Sequence, residues 1–199
     1  MLLVLQGAMA VGKTSVMHYL EKEAPYLHLS YEDNHSVIEE IKRRQLDKRV
    51  FEDYVAIQRL WIQHEVKRWQ NCQAYPYVVM DFGPEEIEFH TIAYPQIIQE
   101  DWDVESALKE DLAMLRSCLP DRILWLEVSE ETLRTRKEKD QMRSRNSFDD
   151  YLQKFLPLKR NWLLDRENVD SLSIDHLSVE EVGRAVQAWC DRQIKKRTD

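Results

Sequence analysis

Glycine is scarce in this chain, with four residues among 199. So few exclude glycine-patterned repeats and flexible Gly/Ser linkers. No Pro/Gly/Ser tract or internal repeat marks a boundary, so one domain is expected over 1–199. Cysteine is sparse too. Cys72, Cys118 and Cys190 form an odd, scattered set without metal-ligand spacing, which reads as reduced thiols in an intracellular protein. The six histidines share no ligand spacing, so no dedicated metal site is expected. Basic residues are outnumbered, 28 against 36 acidic, giving a formal net charge of −8, which argues against a nucleic-acid-coating role. No apolar run approaches the ~20 residues of a membrane span. The N-terminal apolar stretch is short and lacks a basic leader, so a cytoplasmic protein with no membrane partner is expected. A guanine-reading Asn/Thr-Lys-x-Asp and a switch Asp-x-x-Gly are both missing, which counts against a GTPase. The remaining composition, 43% hydrophobic and 32% charged, is ordinary for a soluble domain large enough to bury a core.

Two of the four glycines fall within one eight-residue stretch. Gly7-Ala8-Met9-Ala10-Val11-Gly12-Lys13-Thr14 follows the apolar run Leu2-Leu3-Val4-Leu5 and completes the pattern GxxxxGK[ST]. Glycines at those positions let the backbone turn tightly, so that successive N–H groups converge on phosphate oxygens. The helix opening at Lys13-Thr14-Ser15 adds its positive N-terminal end. Gly7 through Ser15 are therefore the expected nucleotide contacts. Lys13 reaches toward the β- and γ-phosphates, and the Thr14 hydroxyl is a candidate ligand of Mg²⁺.

Short apolar runs alternate with helical patterns along the rest of the chain. Strands are expected at 2–6, 26–30, 77–81, 123–128 and 171–175, and helices at 13–23, 34–47, 50–71, 84–99, 103–118, 130–142, 147–166 and 178–196. Five strands separated by helices imply an α/β fold whose parallel sheet is covered on both faces.

Further groups gather where such a sheet binds ligands, outside the carboxyl ends of its strands. Asp81 ends the strand Tyr77-Val78-Val79-Met80. It suits a metal-bound water or the proton of an attacking hydroxyl, and equally the cap of a turn before Gly83-Pro84. Glu85, Glu86, Glu88 and His90 read as the exposed face of the next helix. Glu32 and Asp33 follow the second strand and are candidates for a sugar hydroxyl or the base, although Asp33 or Asn34 also suits a helix cap. Arg134, Arg136, Arg143 and Arg145 crowd the stretch after the fourth strand, as a cationic lid about 134–147 would require. Within it, Arg136 and Arg143 are candidates for the transition state, Arg134 for the nucleotide and Arg145 for the acceptor. On the 50–71 helix, Gln58 and Glu65 interrupt an apolar stripe of Phe51, Val55, Ile62 and Trp69. Gln58 would suit a nucleobase edge or a backbone partner. Arg59 and Trp61 are rivals on neighbouring faces.

These motifs, in this order, resemble the P-loop small-molecule kinases of the thymidylate kinase and deoxynucleoside kinase branch. The resemblance rests on the phosphate loop and on Val78-Val79-Met80-Asp81. It rests also on Pro120-Asp121 leading through Ile123–Val128 to an arginine-bearing stretch, and on Ile174-Asp175-His176 before the last helix. It implies a three-layer P-loop fold with an arginine-bearing lid, and acceptor-binding helices about 31–71. It implies ATP and Mg²⁺ as cofactors, a small-molecule acceptor and a homodimer through the helices around 50–118. By the same analogy the neighbourhood of Asp175 lies near the adenine. One departure concerns the acceptor: the family acid is usually followed by Arg, and here Asp81 is followed by Phe82. The leading expectation is a kinase of a nucleoside or deoxynucleoside hydroxyl. The alternatives are a monophosphate acceptor, a non-nucleoside hydroxyl such as an antibiotic, and a regulatory ATPase or nucleotide switch.

Overall fold

Leu3, Val4 and Leu5 are almost wholly buried, as both faces of a central parallel strand must be. They belong to β1 (Leu2–Gly7). The computed structural model describes residues 1–139 and 148–198. Four more strands, β2 (His28–Ser30), β3 (Val78–Asp81), β4 (Arg122–Glu127) and β5 (Val169–Ser173), complete a five-stranded sheet in the order β2-β3-β1-β4-β5. Every pairing is parallel, with Leu5 opposite Asp81 on one side and Leu124 on the other. The order reverses around β1, which leaves the loop after it at a switch point of the sheet.

The chain forms two compact units. Unit one comprises Met1–Ser30, Tyr75–Asp81 and Asp121–Asp199, and contains the whole sheet. Its helices are α1 (Lys13–Glu23), α7 (Glu130–Lys139), α8 (Phe148–Asp150), α9 (Leu156–Leu164) and α10 (Val179–Thr198). The core joins Leu3, Leu5, Met17, Leu20, Leu124 and Val186 among others, each burial contributing roughly 1.5–3 kcal/mol. Gly183 lets α10 close on α1, because a Cβ there would stand 2.3 Å from Tyr19 Cγ. Asp121 accepts the Leu2 N–H at 2.7 Å and so ties the start of β1 to the start of β4.

Unit two comprises Tyr31–Ala74 and Phe82–Pro120, holding α2 (His35–Arg44), α3 (Phe51–Cys72), α4 (Pro84–Ile97), α5 (Val104–Ala107) and α6 (Lys109–Arg116). Tyr54, Ile62 and Val66 of α3 pack with Leu108, Leu112 and Leu115.

Three expected helices differ in detail. The helix expected over 103–118 bends at Leu108, whose ψ of 23° ends α5 and begins α6. The bend keeps its hydrogen bonds, Leu108 N–H to Val104 O at 2.9 Å and Leu112 N–H to Leu108 O at 2.8 Å, while sinking Leu108 into the core. The helix expected over 147–166 contains a π turn at Tyr151–Phe155, where the Leu156 N–H reaches back to Tyr151 O. Pro157 follows and has no N–H to continue the α ladder. The helix over 84–99 does not expose its acids: Glu85, Glu86 and Glu88 are buried, with Arg116 Nε 2.7 Å from Glu88 Oε1. Among the described residues no helix is long and apolar enough to cross a membrane.

Candidate nucleotide loop and acceptor cleft

The loop between β1 and α1 has the backbone its sequence demands. Gly12 sits at φ 106°, a conformation that side chains rarely adopt, and it caps α1. Gly7 is required by space: a Cβ there would stand 3.0 Å from Val11 Cγ1 and 3.1 Å from Leu126 O. Ala10 takes a φ of 66°, the cost of a non-glycine residue in a turn this tight. Lys13 is buried, whereas Thr14 and Ser15 are exposed on the first turn of α1. Asp81 is buried at the end of β3, on the same edge of the sheet as the loop.

Beside Gly12 and Ser15 lies a cavity of about 300 Å³, walled by Val16, Ile174, Leu177, Val179, Val182 and Arg136. Its mostly aliphatic walls suit the flat face of a nucleobase. Arg136 Nη1 donates to Val11 O at 2.6 Å, so this arginine does reach the phosphate loop. Arg134 pairs instead with Glu130 and Asp149, at 2.7 and 2.5 Å. Asp175 is close in sequence to the cavity wall, but its carboxylate accepts from Ser129 N–H at 2.9 Å, from Ser129 Oγ and from Thr132 Oγ1. Those bonds, the Ser129 amide foremost, hold the Asp175 carboxyl below its usual range. Arg143 and Arg145 lie outside the described residues.

Unit two contains a second site. Its cleft is lined by Glu32, Asp33 and Asn34, by Trp61, His64, Glu65 and Arg68 of α3, and by Phe82, Gly83, Glu86 and Ile87. Only about 10 Å³ is open, room for about one water. Asp33, one residue before the N-cap Asn34, accepts the His35 N–H on its Oδ1 at 3.2 Å, while Glu32 Oε1 takes the Asn34 amide at 2.7 Å. Arg68 stands 3.1 Å from Glu65, and its Nη2 donates to Phe82 O at 3.3 Å. Burial raises the Glu65 carboxyl above its usual range, opposed by the Arg68 charge. Phe82 sits at φ 56°, a strained turn directly after Asp81.

Two expected acceptor contacts are placed elsewhere. Gln58 is buried and accepts from Thr91 Oγ1 at 2.9 Å, and it does not line the cleft. Arg59 pairs with Asp111 at 3.0 Å on an exposed surface. Sequence reasoning missed Arg68, although its spacing of three from Glu65 on a helix was a usable signal. It also missed Lys159 and Tyr151, which bond the phosphate loop.

The five-stranded parallel sheet, with the glycine-shaped loop after its central β1 and helices around it, is a fold this chain shares with solved P-loop kinases. Solved structures agree. A deoxyadenosine kinase from M. mycoides with the products dCMP and a flexible dCDP superposes with a TM-score of 0.72 at 15% identity, covering 96% of this chain and 100% of that one. The same enzyme with dCTP gives 0.71 at 16% identity with the same coverage. Thymidylate kinase from Candida albicans gives 0.63 at 13% identity, over 100% of this chain and 93% of that one. No protein-family model matches the chain, and no curated protein matches it in sequence.

Proposed function

We propose that this protein is an ATP- and Mg²⁺-dependent kinase that moves the γ-phosphoryl group to a hydroxyl of a nucleoside or deoxynucleoside. The observation that carries the reading is the loop geometry, Gly12 at φ 106° followed by Lys13 and Thr14, within a fold shared with solved kinases. The loop amides and Lys13 hold the triphosphate, and the cavity along Ile174, Leu177 and Val179 receives the donor base. Hard oxygen donors suit Mg²⁺, and the exposed Thr14 hydroxyl and the Asp81 carboxylate would hold it. Among the described residues no group of three or more His, Cys, Asp or Glu is placed to hold a metal ion. Held by Thr14 and Asp81, the ion would supply positive charge to offset that developing during phosphoryl transfer. Arg136, already against the loop, adds a further cation on the phosphate side.

The cleft of unit two takes the acceptor. Trp61 and Phe82 offer ring faces, and Glu32 accepts the hydroxyl proton. The hydroxyl oxygen then bonds to the γ-phosphorus while the bond to the bridging β–γ oxygen breaks and its electron pair leaves with ADP. Glu32, Asp33, Glu65 and Glu86 line the cleft against a single arginine that is already paired with Glu65. A monophosphate would bring two further negative charges to these carboxylates, so an uncharged acceptor is favoured. Arg68 brings a guanidinium to Phe82, the position where the family resemblance expects an arginine.

The test is the rate of ADP release from Mg²⁺-ATP with and without nucleosides. Acceleration by nucleosides supports the proposal. Steady hydrolysis indifferent to every nucleoside would contradict it and favour a regulatory ATPase.

A further inference from the structure

Lysine is seldom fully buried, yet Lys159 is 1% exposed in the interior of unit one. Its Nζ lies 3.4 Å from Gly7 O, the first carbonyl of the phosphate loop, and 5.9 Å from the centre of the Trp125 ring. Nearby, Tyr151 Oη accepts the Met9 N–H at 3.1 Å. One amide and one carbonyl of the loop are thus held by side chains of the segment 148–164.

The π turn explains how both side chains reach the same loop. An α-helix advances ~100° per residue, so positions eight apart stand ~80° out of phase. A π turn accommodates one extra residue. The effective separation of Tyr151 and Lys159 drops to seven positions, which lie ~20° apart on one face. The turn at Tyr151–Phe155 falls between the two residues.

We infer that Tyr151 and Lys159 are positioning residues for the phosphate loop: set on one face by the π turn, they hold the Met9 amide and the Gly7 carbonyl so that the remaining loop amides stay convergent on a nucleotide's phosphates. Neither residue lines the cavity beside Gly12. Lys159 also places a positive charge beneath the loop, where it favours an anion through a poorly screened interior. The inference rests on the loop's holding nucleotide phosphates and is independent of the acceptor.

Equilibrium binding of ADP and of inorganic tripolyphosphate to the full chain tests it, because neither ligand requires phosphoryl transfer. Lys159→Met, which keeps the length and apolar stem, should weaken both ligands by about tenfold or more, the scale of a lost charged hydrogen bond. Lys159→Arg should recover most of that loss. Wild-type affinity in a folded Lys159→Met overturns the inference, as does a loss that Lys159→Arg leaves unrepaired. Should Lys159→Met fail to fold, Tyr151→Phe decides: it removes one oxygen and should weaken ADP about threefold or more, and unchanged affinity overturns the inference. If the wild type binds neither ADP nor tripolyphosphate, the nucleotide reading falls, and this inference with it.

Discussion

The two candidate sites are built from different materials. In unit one the site is backbone: glycines shape the loop, its amides converge, and the side chains around it hold that backbone in place. In unit two the site is side chains, gathered from residues 32–34, from one face of α3 and from 82–87. The contrast fits a division of labour in which the first site serves any triphosphate and the second sets the acceptor. Backbone sites recur with little change because peptide groups are the same in every chain. Side-chain clefts vary freely, since many combinations of residues can enclose one small molecule.

That division makes substitutions in the two units fail differently. The largest effect belongs to Lys13→Ala, which should lower transfer to every acceptor by a similar factor, on the order of 10²–10³. A loss confined to one acceptor would break the comparison. Glu32→Gln should come next, reducing kcat by about 10²-fold or more while leaving the affinity for ATP unchanged. Asp33→Asn, beside the start of α2, should fall well short of it. Equal losses in the two variants, measured as kcat in steady state, would remove Glu32 from its assigned role. Glu86→Gln takes one negative charge out of the cleft and should re-rank acceptors, raising use of a monophosphate relative to its nucleoside by roughly threefold to tenfold. Competition assays with both acceptors read that ratio directly.

The smallest effect concerns Asp175, which the resemblance placed near the nucleotide and which bonds Ser129 and Thr132. Its carboxyl is held below the ordinary 3.8. The stabilisation is therefore present above the unfolded value and is lost as the pH falls through the depressed folded one. Asp175→Asn should lower the melting temperature slightly at neutral pH and converge on the wild type in acid, as thermal melts across pH would show. A gap that widens in acid would contradict this sign.

The fold was legible where physics is local. The three central strands β1, β3 and β4 are short, mostly apolar runs, and the phosphate loop favours glycine at Gly7 and Gly12 for identifiable steric reasons. The bend at Leu108 was hidden because a buried leucine carries no breaker signal. The π turn before Pro157 depends on hydrogen bonds that sequence periodicity does not resolve. Gln58 and Glu65 stood out as polar residues on an apolar stripe, and both are buried. Only Glu65 lines the cleft, a distinction decided by Thr91, 33 residues away from Gln58. Lys159 lies beside Arg160 in a helix of mostly apolar residues, and nothing in its local sequence sets it apart from an ordinary surface lysine. Only the tertiary fold brings it beneath Gly7.

The central claim is tested most directly by identifying the product formed from Mg²⁺-ATP with a panel of nucleosides, deoxynucleosides and their monophosphates, with Lys13→Ala as the blank. The account predicts a nucleoside or deoxynucleoside monophosphate, formed with stoichiometric ADP and missing from the blank. A diphosphate formed from a monophosphate acceptor, or ADP released with no phosphorylated partner, would contradict it.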